Sequence, residues 1–194
     1  MKIGLTGGIG CGKTTALAHF RERGAVVFDT DACVRGLLEG DPAVRASLRE
    51  QFGEEIFTSD GMIDRPELAR IVFGNSSKLE ALESLLHPRV RAAWQQESDQ
   101  DHPCFVVEIP LLFEKSLESL FDVTVCVAVH PETQRNRLRA RGLEEMQIDL
   151  RQARQWPLAR KMEAADHIIW NDGDEAHLRA QIDHLLEQWK CLSA

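Results

Sequence analysis

One stretch limits what this chain can fold into: Leu5-Thr6-Gly7-Gly8-Ile9-Gly10-Cys11-Gly12-Lys13-Thr14. Gly7, Gly12, Lys13 and Thr14 occupy the fixed places of G-x-x-x-x-G-K-[ST]. A loop that wraps a polyphosphate must turn its backbone N–H groups inward, and glycine permits the dihedrals and the close approach this needs. The expected nucleotide-binding set is therefore Gly8, Ile9, Gly10, Cys11, Gly12, Lys13, Thr14 and Thr15. Lys13 brings a positive charge to the terminal phosphates, and the Thr14 hydroxyl is the expected Mg²⁺ ligand. The flanks agree with the motif. Lys2-Ile3-Gly4-Leu5 reads as a short strand, and Thr15 to Phe20 as the start of a helix whose N-terminus faces the phosphates. Cys11 reads as a small filler at a variable loop position.

Beyond the loop, strand-like apolar runs recur between helical segments, which predicts an α/β layer fold with a mainly parallel sheet. Strands are expected at about 2–6, 25–28, 103–110, 121–129 and 167–170, five in all. The runs at 103–110 and 121–129 are nearly continuous in apolar residues, as in central parallel strands covered on both faces. Residues 32–98 contain no convincing strand and read as helices over about 32–39, 42–52, 65–73 and 76–98. Asp60-Gly61 marks a turn among them. Leu79, Leu82, Leu85 and Leu86 recur at helical spacing and are expected in a core, with Trp94 on the same stripe. His87-Pro88 ends the apolar pattern of one helical segment. So long a helical stretch between two sheet strands predicts a subdomain for a second substrate. Further helices follow from His130-Pro131, at about 145–155, after Trp156-Pro157 and over 175–190.

Composition narrows the classes. The 194 residues carry a net charge of −8, which argues against a broad nucleic-acid-binding face. No apolar run reaches the ~20 residues of a membrane span, and the N-terminus passes directly into strand and loop without room for a signal peptide. Five scattered cysteines without a C-x-x-C pair fit neither a disulfide framework nor a zinc site, and suit a reducing cytoplasm. A monomer or weak homo-oligomer is expected.

Several groups have chemistry suited to a phosphate site. Asp29 and Asp31 fall at the end of the second strand, and open parallel sheets bind ligands beyond that edge. Phosphoryl transfer needs a carboxylate beside the acceptor hydroxyl. Asp31 is the choice for it, with helix capping as the alternative; Asp29 suits the acceptor or the metal's water shell. Arg35, one turn on, either pairs with Asp31 or reaches an anionic group of the acceptor. Glu108 and Glu114 either serve the site or form salt bridges. Among seven arginines between 135 and 160, Arg137 and Arg141 stand four apart and suit stabilisation of the transferring phosphoryl. Arg135 and Arg139 are expected on the surface. The chain lacks the guanine-reading N-K-x-D of GTPases.

Together these features resemble the dephospho-coenzyme A kinase family. The resemblance rests on the glycine-rich loop, Asp29-Thr30-Asp31 with Arg35, Leu86-His87-Pro88, Ile109-Pro110-Leu111-Leu112-Phe113-Glu114, Arg137 and Arg141, Arg151 to Gln155, and Asn171-Asp172-Gly173. It implies a three-layer α/β/α P-loop kinase fold with a five-stranded parallel sheet. Residues 1–31, 103–134 and 166–194 would form the nucleotide-binding core, 32–102 a helical acceptor subdomain and 135–165 a small lid. The implied reaction is Mg²⁺- and ATP-dependent phosphorylation of the ribose 3′-hydroxyl of dephospho-coenzyme A. By the same resemblance Asp31 is the base, and Lys13, Arg137 and Arg141 act on the phosphoryl group. Asp29, Arg35, His87, Leu111 and Glu114 border the acceptor, and Asn171 and Gly173 lie near adenine. Trp170 departs from the family, which commonly has Asp there.

Overall fold

A computed structural model describes residues 1–191 and divides the chain into two compact units. One comprises Met1–Asp29 and the chain from Gln100 on; the other is the continuous segment Thr30–Asp99. In chain order, β1 (Lys2–Gly7), α1 (Lys13–Glu22) and β2 (Val26–Asp29) open the first unit. The second contains α2 (Thr30–Gly40), α3 (Pro42–Phe52), α4 (Arg65–Phe73) and α5 (Ser76–Ser98). The first unit resumes with β3 (Phe105–Glu108), β4 (Val123–Ala128), α6 (Pro131–Ala140), α7 (Glu145–Gln152), α8 (Leu158–Ala164), β5 (His167–Trp170) and α9 (Glu175–Gln188).

The five strands form one parallel sheet in the order β2-β3-β1-β4-β5. β1 is central, so the glycine-rich loop that follows it emerges mid-edge, where parallel sheets bind ligands. Alternation divides the sheet's faces. Ile3, Leu5, Val106, Val125 and Val127 pack with Ala16, Leu17 and Phe20 of α1 and Leu178 and Ile182 of α9. Gly4 points to the other face, where an added Cβ would meet Leu112 at 2.6 Å and Phe121 at 2.9 Å. Glycine is required there by packing. α8 lies against β1 and β4, so the sheet is covered by helices on both sides.

The second unit has its own core, built from residues such as Leu38, Val44, Leu48, Ile56, Leu68 and Leu86. Leu79, Leu82 and Leu85 pack against it half-buried, and Trp94 is buried. Its helices start where short polar side chains accept from orphan N–H groups: Asp41 from Ala43 and Val44, Asp64 from Glu67, Asn75 from Lys78. The turn at Asp60-Gly61 joins an antiparallel bridge between Phe57 and Ile63.

Two sequence expectations shift. The second strand stops at Asp29 and α2 begins at Thr30, so Asp31 occupies a first helical turn instead of a strand end. An acidic group in that turn complements the helix dipole. α5 spans Ser76–Ser98 as expected and continues through His87-Pro88; Arg89 Nη1 donates to the Leu85 carbonyl at 2.7 Å across the turn that the proline interrupts. α6 ends at Ala140, leaving Arg141 as its C-cap.

Candidate phosphate-binding site

The loop between β1 and α1 is shaped by contacts on its outer side. Gly7, Gly10 and Gly12 have φ of 145°, 81° and 90°. A Cβ at Gly7 would overlap the Val127 carbonyl, and one at Gly12 would overlap Asn171 Nδ2. The glycines thus allow β4 and the residue after β5 to support the loop from behind. Gly12 is the left-handed N-cap of α1, which aims the N-terminal N–H groups of that helix along the loop. Lys13 is buried, and its Nζ donates to the Gly7 and Gly8 carbonyls at 3.2 Å each. Thr14 and Thr15 are exposed on the first turn. Cys11 is fully buried, and burial raises its thiol pKa despite the nearby charges of Lys13 and Arg137. It stays protonated, as a filler would.

A cavity of about 240 Å³ adjoins the loop, lined by Gly10, Gly12, Thr15, Arg137, Arg141, Asn171 and Gly173 together with Glu175 and Leu178. The structure thus brings together Arg137, Arg141, Asn171 and Gly173, which are far apart in sequence. Arg137 donates to the Asn171 carbonyl at 2.7 Å. Asn171, 8% exposed, donates through Nδ2 to the Cys11 carbonyl at 2.8 Å and through its backbone to Ala128 at 2.8 Å. Asn171 therefore ties the loop to the sheet. Trp170, 43% exposed, projects from edge strand β5, and its backbone is held on both sides by the Gln181 amide. Its indole is not among the groups that line the cavity.

The acids separate by environment. Asp29 and Glu108 stand side by side in the β2–β3 register at the sheet's C-terminal edge. Glu108 is 5% exposed. Glu114 pairs with Lys161 at 2.8 Å and accepts from the Trp156 backbone N–H at 2.7 Å. Lys161, wholly buried, also donates to the Pro110 carbonyl at 2.6 Å. This pair fastens the 110–114 loop to α8, the salt-bridged alternative for Glu114. Leu111 lies half-buried in the same loop. Asp31 and Arg35 are exposed one turn apart on α2, and His87 is exposed on α5, all in the second unit. Arg135 bridges to Glu145 and Asp149, and Arg139 to Glu145, so both arginines link α6 to α7.

Three residues escape sequence reasoning: Gln134 and Gln155 at the glycine-rich loop, and Lys161 at the 110–114 loop. Gln155 belongs to the stretch that carries the family resemblance, but its partner, Ile9, is 146 positions away. Nothing in sequence marks Lys161 as buried. Among the described residues no three His, Cys, Asp or Glu side chains gather as a metal cage. Thr14, with Asp29 and Glu108 at the neighbouring strand ends, fits an ion such as Mg²⁺ that keeps several waters and is held largely by substrate phosphates.

Comparison with known proteins gives a consistent result. Residues 1–177 match a family model described as dephospho-CoA kinase. A dephospho-CoA kinase of Gloeobacter violaceus is 38% identical over 187 residues, covering 96% of this chain and 91% of that protein. A crystal structure from Thermus thermophilus matches with a TM-score of 0.82 at 34% identity, over 97% of both chains. The dephospho-CoA kinase of Campylobacter jejuni, at 23% identity, shares the fold with a TM-score of 0.64 over 97% of this chain and 96% of that one.

Proposed function

The chain belongs to the dephospho-CoA kinase family, whose reaction is ATP-dependent phosphorylation of the ribose 3′-hydroxyl of dephospho-coenzyme A, and on that premise we propose which residues carry each part of it. The observation that carries the assignment is the cavity in which the glycine-rich loop meets Arg137, Arg141, Asn171 and Gly173.

ATP lies on the loop, with its phosphates on the Gly10 N–H and at the N-terminus of α1. Lys13, its Nζ oriented by the Gly7 and Gly8 carbonyls, brings its charge to the phosphate oxygens. A Mg²⁺ ion at the Thr14 hydroxyl supplies charge neutralisation at the β- and γ-phosphates when bound. Asp29 and Glu108, adjacent in the sheet, suit hydrogen bonds to the water around such an ion. Arg137 and Arg141 line the donor cavity and stabilise charge on the transferring phosphoryl. Gly173 and Asn171 border the nucleotide base. Asp31 accepts the proton of the 3′-hydroxyl and orients it for in-line attack. Arg35 and His87, exposed in the helical unit, contact the acceptor, and Leu111 borders it. Glu114 acts through the loop it fastens. Residues 32–102 form the acceptor subdomain and 135–165 a lid that excludes water. The enzyme works in the cytoplasm as a monomer or weak homo-oligomer.

The test supplies Mg·ATP with and without dephospho-coenzyme A and follows ADP and coenzyme A. Acceptor-dependent formation of both is expected. Asp31→Asn is expected to lower kcat by about 10²-fold or more, with ATP affinity largely kept. Near-normal turnover of that variant would remove Asp31 from the base role.

A further inference from the structure

Two glutamines grip the glycine-rich loop from outside, at Ile9. Gln134 Nε2 donates to the Ile9 carbonyl at 2.6 Å, and Gln155 Oε1 accepts from the Ile9 N–H at 3.0 Å. These bonds fall on different peptide units. In a trans peptide the carbonyl and the N–H point in opposite directions, and no described peptide bond is cis. The Gly8–Ile9 unit turns its N–H to Gln155, so its carbonyl faces the other way. There the Gly8 carbonyl accepts from Lys13 Nζ and from the Cys11 N–H, each at 3.2 Å. The Ile9–Gly10 unit turns its carbonyl to Gln134 on α6, so the Gly10 N–H points away from α6. Packing keeps the grip tight. Gln134 is 7% exposed. A Cβ at Gly8 would lie 2.6 Å from Gln134 Nε2, and one at Gly10 would lie 3.0 Å from Leu138 Cγ.

We propose that Gln134 and Gln155 are positioning residues for the phosphoryl donor. Gln155, acting as an acceptor, sets the carbonyl that places Lys13; Gln134, acting as a donor, sets the Gly10 N–H for the triphosphate. Neither glutamine has to touch ATP. The inference rests on the reading of this loop as the ATP site.

The requirement is directional, which gives the test its form. Glutamate accepts but does not donate when ionised, and lysine donates but does not accept. At position 155 kcat/KM for ATP should fall in the order Gln, Glu, Lys. At position 134 the order should be Gln, Lys, Glu. The charged variants should differ by about tenfold at each site, as loss of a hydrogen bond with a charged partner implies. KM for dephospho-coenzyme A should stay within about twofold throughout, since only the donor side is disturbed. Lysine ranking above glutamate at both positions would mean simple attraction to the phosphates and overturns the proposal. The same order at both positions in the other sense, or no difference, overturns it equally.

Should a charged side chain prevent folding, Gln134→Met and Gln155→Met delete each bond without adding charge. Each should raise KM for ATP about tenfold; an unchanged KM counts against the proposal. If the wild-type protein lacks acceptor-dependent turnover, the proposed function fails instead, and calorimetric ATP affinity reads the same rankings.

Discussion

Lys161 is the residue whose role contrasts most with its type. Lysine is rarely buried unless paired, and here it is fully covered, with Glu114 and the Pro110 carbonyl as partners. Removing one member of a buried pair leaves an uncompensated charge, at a cost of ~3–5 kcal/mol. Lys161→Met should therefore lower the denaturation midpoint by that measure. Adding Glu114→Leu should recover part of the loss, because the stranded carboxylate goes with it. Recovery remains partial, since the Trp156 N–H and the Pro110 carbonyl still lose partners. A double-mutant cycle in urea reads the coupling; additive losses would mean that the two side chains stabilise the loop independently. The sequence could not announce this pair. Its members are 47 positions apart, and each belongs to a residue type that is ordinarily solvated. The glycine-rich loop was legible for the opposite reason: its constraint is local, written into backbone dihedrals that only glycine adopts easily.

At the level of elements, the α6–α7 pair is joined by charge. Glu145 accepts from Arg135 and Arg139, whose guanidinium groups hold its pKa down to about 2. The carboxylate is ionised more readily in the folded protein than in the unfolded chain. Its contribution is therefore complete above the unfolded pKa, near 4.5, and is lost as pH falls toward about 2. Protection against hydrogen exchange across 145–152, relative to the unfolded chain at the same pH, should fall over that window, and earlier in high salt because the pair is exposed. Glu145→Gln should show the faster exchange already at neutral pH, and exchange identical to wild type would show that packing alone holds α7. Element boundaries were readable wherever a cap or a breaker stood at the junction. Asp41-Pro42 opens α3 as read. The sequence misled at Asp31, which looked like a continuation of a strand, whereas the helix over 76–98 was read through Pro88.

For the whole molecule, the chain joins two compact units of unlike construction. The first depends on residues from both ends of the sequence: β1 pairs with β3 and β4, roughly a hundred positions on. Its sheet cannot be assembled from a short piece. The second is continuous, Thr30–Asp99, and the described residues of its apolar cluster all come from that segment. Its helix caps are internal as well, at Asp41, Asp64 and Asn75. A segment with local contacts, internal caps and a private core has what independent folding requires. Its size sets the limit, because so short a chain retains at most ~3–5 kcal/mol once ordering entropy is met. Residues 30–99 expressed alone should therefore give a helical circular-dichroism spectrum and one cooperative urea transition of low midpoint. A non-cooperative loss of signal would mean that the segment depends on the nucleotide-binding unit for its fold. Cooperative folding would show that the helical unit of this kinase is a module whose stability is set separately from the phosphate loop's.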